Sequence, residues 1–203
     1  MATIPEYAEL RCVSNFSFLR GASQPEELVE RAVRLGYEAL AITDEGSLAG
    51  VVRAHEEAKR QNEAGSPIKL LIGSVFEVQG DGGTPACRLV LIARHREGYG
   101  DLCELITLAR LRCAKGQYRL TVRDFDSGAL HLRGTPGCHA LLIPRREDPP
   151  ELLLAQARWL QAAFADRAAL AVELLLYADD SLLVERLDAV ASHTGLPLVA
   201  AGD

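Results

Sequence analysis

The chain has 203 residues, 48% of them hydrophobic and 25% charged, which are ordinary globular values and leave room for a substantial core. Its net charge of −6, from 22 basic against 28 acidic side chains, matches a polyphosphate backbone poorly and argues against strong DNA binding by this piece alone. No apolar run approaches the roughly 18 residues of a membrane span, and MATIPEYAEL lacks the basic-then-apolar order of a signal peptide, so a cytoplasmic protein without a membrane partner is expected.

The first predicted element is a strand over Tyr7–Val13, expected inside the sheet with Leu10 and Cys12 on one face. Ser23 and Glu26 have the Ser-x-x-Glu spacing of a capping box with Pro25 in the first turn. They open a helix whose Leu28, Ala32 and Leu35 share a face until Gly36 stops it. A strand over Glu38–Thr43 follows. Two more, Ile68–Val78 and Arg88–Ala93, flank Gln79–Ala86 (QGDGGTPA), which reads as a surface hairpin; without Lys-Ser or Lys-Thr it is no phosphate-binding loop. A second loop-like stretch, Ser127–Gly137, precedes a strand over His139–Pro144.

Asp148 is placed to cap a helix opening with Pro149 and Pro150, on which Leu153, Ala157, Leu160 and Phe164 share a face. After a strand over Ala168–Leu174, Leu183, Leu187, Val190 and Ala191 form another such face ahead of Gly195, and Pro197–Ala201 is the last strand. These faces read as core packing. Five scattered cysteines (Cys12, Cys87, Cys103, Cys113, Cys138) without a Cys-x-x-Cys pair indicate reduced thiols rather than a disulfide framework or zinc ribbon. Strands alternating with helices argue for parallel βα units. The expected fold is α/β, a single barrel of about seven strands over 1–203, distorted or incomplete at its C-terminus.

Such a barrel gathers its chemistry just past the carboxyl ends of its strands. The residues at or near those boundaries are Arg11, Val13, Asp44, Glu45, Val75, Arg88, Glu173 and Asp203. A dinuclear or trinuclear metal centre needs several histidine and carboxylate ligands. Only Asp44, Glu45, Glu173 and Asp203 qualify, because His55, His95, His131, His139 and His193 fall on helices, in loops or at a strand start. Arg11 and Arg88 oppose a divalent cation and are expected to pair with Asp44, Glu45 or Asp203. Asp44 is also placed to cap the helix after it; a residual metal-ligand role for the carboxylates is the alternative.

The blocks YAELRCVSNFSFLRGAS, ALAITDEGSLAGVVRAHEEAK, IKLLIGSVFEV, GYGDLCELIT and GLPLVAAGD carry a resemblance that spans nearly the whole chain. In this order they resemble the N-terminal PHP (polymerase and histidinol phosphatase) domain of bacterial C-family DNA polymerases, the DNA polymerase III alpha-subunit type, and within it the error-prone branch. Active members carry His-x-His at the first strand end, where this chain has Arg11 and Val13. Their Thr-Asp-His-Gly turn is matched by Thr43-Asp44-Glu45-Gly46, and their Gly-x-Glu block by Gly73-Ser74-Val75. A histidine opening the next strand is matched by Arg88, and the terminal Asp-x-His block reaches only Asp203.

The resemblance implies a DNA-directed DNA polymerase as parent, acting in damage-induced mutagenesis and translesion synthesis, with Mg²⁺ on palm carboxylates beyond position 203. It implies as partners the remaining polymerase domains, DNA through those domains, and accessory mutagenesis proteins. With the ligand positions replaced, the expectation for this piece is a metal-free structural scaffold without catalytic residues or cofactor. Two other readings are a metal-dependent phosphoesterase or 3′-5′ exonuclease on the same barrel, and a binding module for an accessory protein on surface helices such as Glu26–Leu35.

Overall fold

The computed structural model describes residues 6–126 and 135–202. The strands are β1 (Ala8–Cys12), β2 (Ala39–Ile42), β3 (Lys69–Gln79), β4 (Cys87–Ala93), β5 (Leu120–Thr121), β6 (Cys138–Leu142), β7 (Ala168–Val172) and β8 (Leu198–Ala200). The helices are α1 (Pro25–Leu35), α2 (Val51–Glu63), α3 (Arg96–Leu111), α4 (Pro150–Phe164) and α5 (Asp180–Thr194). The sheet runs β1-β2-β3-β4-β6-β7-β8 and curls into a nearly closed, distorted barrel, with β5 attached beside β3. All seven predicted strands are present; the two-residue β5 was too short to leave a periodic signal.

The parallel βα reading holds for most of the path, with one strand reversed by the hairpin expected at residues 79–86. The pairs β1–β2, β2–β3, β6–β7 and β7–β8 are parallel, but β4 runs antiparallel to both β3 and β6. The cause is connection length: a parallel crossover takes about a dozen residues or more, and only the hairpin loop separates β3 from β4. Its turn is fastened by Asp81, whose carboxylate accepts from the Gly83 and Thr84 amides at 3.1 and 2.9 Å, while Gly82 takes a φ of +91°.

The lumen is lined by side chains from every strand of the path, among them Leu10, Ala41, Val75, Val90, Leu141, Ala171 and Val199. Outside the sheet, α3, α4 and α5 cover a larger core around Phe76, Leu89, Leu91 and Leu142, and α1 with α2 cover a smaller one around Leu40 and Ile42. The faces carrying Leu153, Ala157, Leu160 and Phe164, and Leu183, Leu187 and Val190, are buried as their spacing predicts. Leu35 is the exception, 49% exposed at the end of α1.

Three local expectations shift. The α1 capping box is built one residue later, on Gln24 and Glu27, with the Gln24 amide donating to Glu27 Oε2 at 2.8 Å. The N-cap of α4 is Pro149; Asp148 instead accepts from the Arg145 amide in the preceding turn. Third, β1 is the terminal strand of the path rather than an inner one, and Leu10 and Cys12 do not share a face. Three residue steps from Glu9 to Cys12 oppose two from Leu40 to Ile42, a β-bulge. Leu10 therefore packs in the lumen while Cys12 packs under α1 and α2.

The seam between β1 and β8 is bridged by a side chain: the Gly202 amide donates to both Glu9 carboxylate oxygens, at 2.9 and 3.1 Å. No helix among the described residues is long and apolar enough to cross a membrane. Cys87, Cys103, Cys113 and Cys138 are free thiols. Burial pushes the thiols of Cys87 and Cys138 up to about 12, so little reactive thiolate exists at neutral pH. Timed alkylation of the native protein should label the half-buried Cys103 and Cys113 well before these two; equal rates would contradict the buried assignment.

Candidate functional site

The carboxyl ends of the parallel strands and the first residues of β4 meet at one mouth of the barrel. The β1 bulge turns Arg11 into it, leaving this arginine only 2% exposed. Its guanidinium pairs with Glu173, which follows β7 on the far side of the β1–β8 seam. The Arg11 amide donates to Glu9 Oε1 at 2.9 Å, so Glu9 ties this strand end both to itself and to Gly202. Among the described residues the partner of Arg11 is thus Glu173, and neither Asp44 nor Glu45 pairs with it as expected. Asp203 lies outside the described residues. Val13, half-buried in the loop after β1, offers no side-chain donor atom.

Asp44, just past β2 and 1% exposed, is committed elsewhere. Its Oδ1 accepts from the Ser14 amide and hydroxyl, both at 2.9 Å, and from Ser17 Oγ at 2.8 Å; its Oδ2 accepts from Ser14 Oγ at 2.8 Å. The carboxylate therefore fastens the loop after β1 and does not cap α2, whose N-cap is Gly50. The Gly50 backbone passes so close that an added Cβ would lie 2.6 Å from Asp44 Oδ2 and 3.0 Å from Ser14 Oγ. Gly50→Ala should consequently lower stability by about 1–3 kcal/mol through overpacking, measured by urea denaturation; an unchanged midpoint would show that the loop can give way.

Glu45 accepts from Tyr118 Oη at 3.1 Å and lies 3.4 Å from Arg20, which is half exposed. Tyr118 also accepts from the Glu77 amide at 2.9 Å, and burial raises its phenol well above the ordinary tyrosine range. Val75, 1% exposed, faces the lumen and pairs in register with Val90. The adjacent Ser74 donates to the Asp44 carbonyl at 2.7 Å and accepts from the Ser47 amide at 3.1 Å. Arg88 opposes Glu77 across the β3–β4 pair, with Nε 3.3 Å from Oε1, while Arg145 reaches Oε2 at 2.9 Å.

The mouth thus gathers Arg11, Glu173, Asp44, Glu45, Val75 and Arg88; among the described residues Arg11 pairs with Glu173, Asp44 accepts from the two serines, and Arg88 pairs with Glu77. Sequence reasoning missed Ser14 and Ser17, the donors to Asp44, and Glu77 with Arg145, which join Arg88 at the start of β4. It also missed Arg146, which pairs with Asp179 and Asp180 and stacks on Tyr177 at 4.6 Å. Serine at two positions three apart in SNFS, past a strand end and facing a buried aspartate, was the available signal for the first of these.

The described histidines lie away from this mouth. His55 and His193 are on α2 and α5, His95 caps α3, and His139 stands near the start of β6; His131 lies outside the described residues. Among the described residues, no three His, Cys, Asp or Glu side chains gather in a group that could hold a metal ion.

The model of the PHP domain family matches residues 9–174. An error-prone DNA polymerase of Ralstonia nicotianae is 51% identical over 98% of this chain, and that of Bordetella parapertussis 52% identical over 99%. The chain spans only 18–19% of the length of these relatives. Two solved structures share its fold at 17% identity. A putative metal-dependent phosphoesterase from Bifidobacterium adolescentis has a TM-score of 0.63, and an amidohydrolase from Chromobacterium violaceum, with bound sulfate and no metal, has one of 0.67. Each alignment covers 97% of this chain and 86% of the other.

Proposed function

The chain belongs to the PHP domain family, and from that premise we propose that residues 1–203 form the N-terminal PHP domain of a longer error-prone DNA polymerase, serving there as a metal-free structural scaffold. The observation that carries this reading is the buried Arg11–Glu173 pair inside the mouth, where active relatives are expected to hold metal ions. The donor set supports it. Asp44 already accepts from three donors, the Ser14 amide and the Ser14 and Ser17 hydroxyls, Val13 and Val75 bring no ligand atom, and Arg88 adds positive charge beside Glu77. A hydrolytic centre needs several ligands to fix both an ion and its water, and these residues do not fit one.

The parent would be a cytoplasmic DNA-directed DNA polymerase acting in damage-induced mutagenesis and translesion synthesis, with its Mg²⁺-dependent site and its DNA contacts in other domains. Docking against those domains is supported by two apolar loop tips at the same mouth. Phe18 and Leu19 are 85% and 88% exposed after β1, and Leu176 is 98% exposed after β7. Leu19 and Leu176 hold φ values of 62° and 61°, a region leucine rarely occupies, so both tips present apolar surface at some backbone cost.

The phosphoesterase or 3′-5′ exonuclease reading rests on likeness of fold alone, and the residues of the mouth weigh against it. Assays of this chain on a 3′-labelled oligonucleotide and a phosphate monoester, with Zn²⁺, Mn²⁺ or Mg²⁺ supplied, should give no turnover above the metal alone. Metal-dependent turnover abolished by Asp44→Ala would replace the scaffold with a hydrolase.

A further inference from the structure

At the opposite end of the barrel, where β3, β7 and β8 begin and β4 ends, a cavity of about 520 Å³ opens into the lumen. Its deep walls are aliphatic: Leu10, Leu71, Ile92, Leu141 and Val199. Its rim is cationic, with Lys69, Arg94 and Arg167 set against the lone lining carboxylate, Asp166. Lys69 and Arg94 are exposed and form no ion pair among the described residues, in contrast to most arginines of the mouth. Arg167 is held in place by donating to the carbonyls of Thr135 and Cys138, at 2.9 and 2.7 Å.

For a chain of net charge −6 this is a local reversal of sign. His139, also in the lining, senses it: burial first, then the Arg94 charge, holds its imidazole below the ordinary histidine range, against a hydrogen bond to the Arg167 backbone and the Asp166 carboxylate. The rim continues sideways, because a second cavity of about 410 Å³ shares Lys69, Leu71, Ala93 and Arg94 and extends to Arg96 and Tyr99.

We infer that this barrel floor is a docking site for an acidic peptide segment that places an apolar side chain in the lumen cavity and its carboxylates against Lys69, Arg94 and Arg167. The volume lies within the roughly 300–1,000 Å³ of ligand-accepting pockets. Burial of an apolar anchor supplies affinity, and the unpaired cations supply orientation and partner choice. Single-stranded nucleic acid fits less well, since such sites combine phosphate contacts with aromatic stacking platforms and the lumen walls here are aliphatic.

The probe is a short fluorescein-labelled peptide of alternating aspartate and leucine, titrated into the 203-residue chain and followed by anisotropy at low and high salt. Saturable, salt-weakened binding is expected, and about tenfold weaker binding for Lys69→Glu and for Arg94→Glu. Both residues are exposed, and thermal melting confirms that the variants fold. A peptide of alternating aspartate and serine should bind at least about tenfold more weakly, and the bound leucine peptide should raise the His139 pKa seen by NMR. Binding unchanged in both variants, or equal binding of the serine peptide, would overturn the inference. So would tighter binding of a mixed-sequence DNA oligonucleotide through the same two residues, or their loss abolishing self-association of the chain instead.

Discussion

Replacing Arg11 by alanine is expected to cost about 3–5 kcal/mol of folding stability, the largest effect of any single substitution at the barrel mouth. The side chain is 2% exposed and its partner Glu173 17%, so neither charge is left to bulk water. Truncation removes the counter-charge while Glu173 stays where the end of β7 puts it. It also empties one of the largest fully buried side-chain volumes in the molecule. Urea denaturation measures the loss. Arg11→Met combined with Glu173→Gln should recover much of it, because volume is kept and both charges are gone. A cost below about 1 kcal/mol for the alanine variant would mean that the pair is effectively solvated and does not organise the mouth.

Asp44→Ala should come next, at about 2–5 kcal/mol, because it orphans the Ser14 amide and two serine hydroxyls in a site closed to water. The damage should be local. Amide exchange is expected to accelerate at Ser14, which donates to Asp44, and at Glu45, whose amide donates to Ser17 Oγ, before the strands themselves open. Asp44→Asn retains an acceptor oxygen and should lose less. Equal stability of the alanine variant and the parent would show that the serines find other partners, and the assignment of Asp44 as a loop fastener would fail.

The strands were legible because each is a short, β-branched or leucine-rich run closed by turn residues, and the faces of α4 and α5 because a period near 3.6 survives any register. Strand direction was less so. Apolar runs carry no arrow, and only the brevity of Gln79–Ala86 betrays that β4 turns back. The bulge in β1 was hidden because neither glycine nor proline marks it; the residues between Glu9 and Cys12 are Leu10 and Arg11. That one extra residue decides the site. It sends Leu10 to the lumen and Cys12 to the helices, and it aims Arg11 across the seam at Glu173.

The composition of the mouth, by contrast, could be read from the strand ends, since Arg11, Val13, Asp44, Glu45, Val75 and Arg88 all sit where a barrel displays its chemistry. What could not be read was pairing. Several carboxylates at strand ends are equivalent in sequence, and choosing among them takes the curvature of the sheet and the hydrogen bonds of neighbouring loops. Glu77 shows the same limit: it looks like an ordinary strand residue until β4 and the turn after β6 bring Arg88 and Arg145 to its two oxygens.

We propose that this mouth is held together by the buried Arg11–Glu173 pair and by serine-carboxylate bonds in place of metal ions. Elemental analysis of the chain, equilibrated with Zn²⁺ and Mn²⁺ and then freed of excess by gel filtration, tests it most directly. The account predicts far less than a stoichiometric amount of either metal, unchanged in Asp44→Ala. About one retained ion per chain, lost on that substitution, would contradict it.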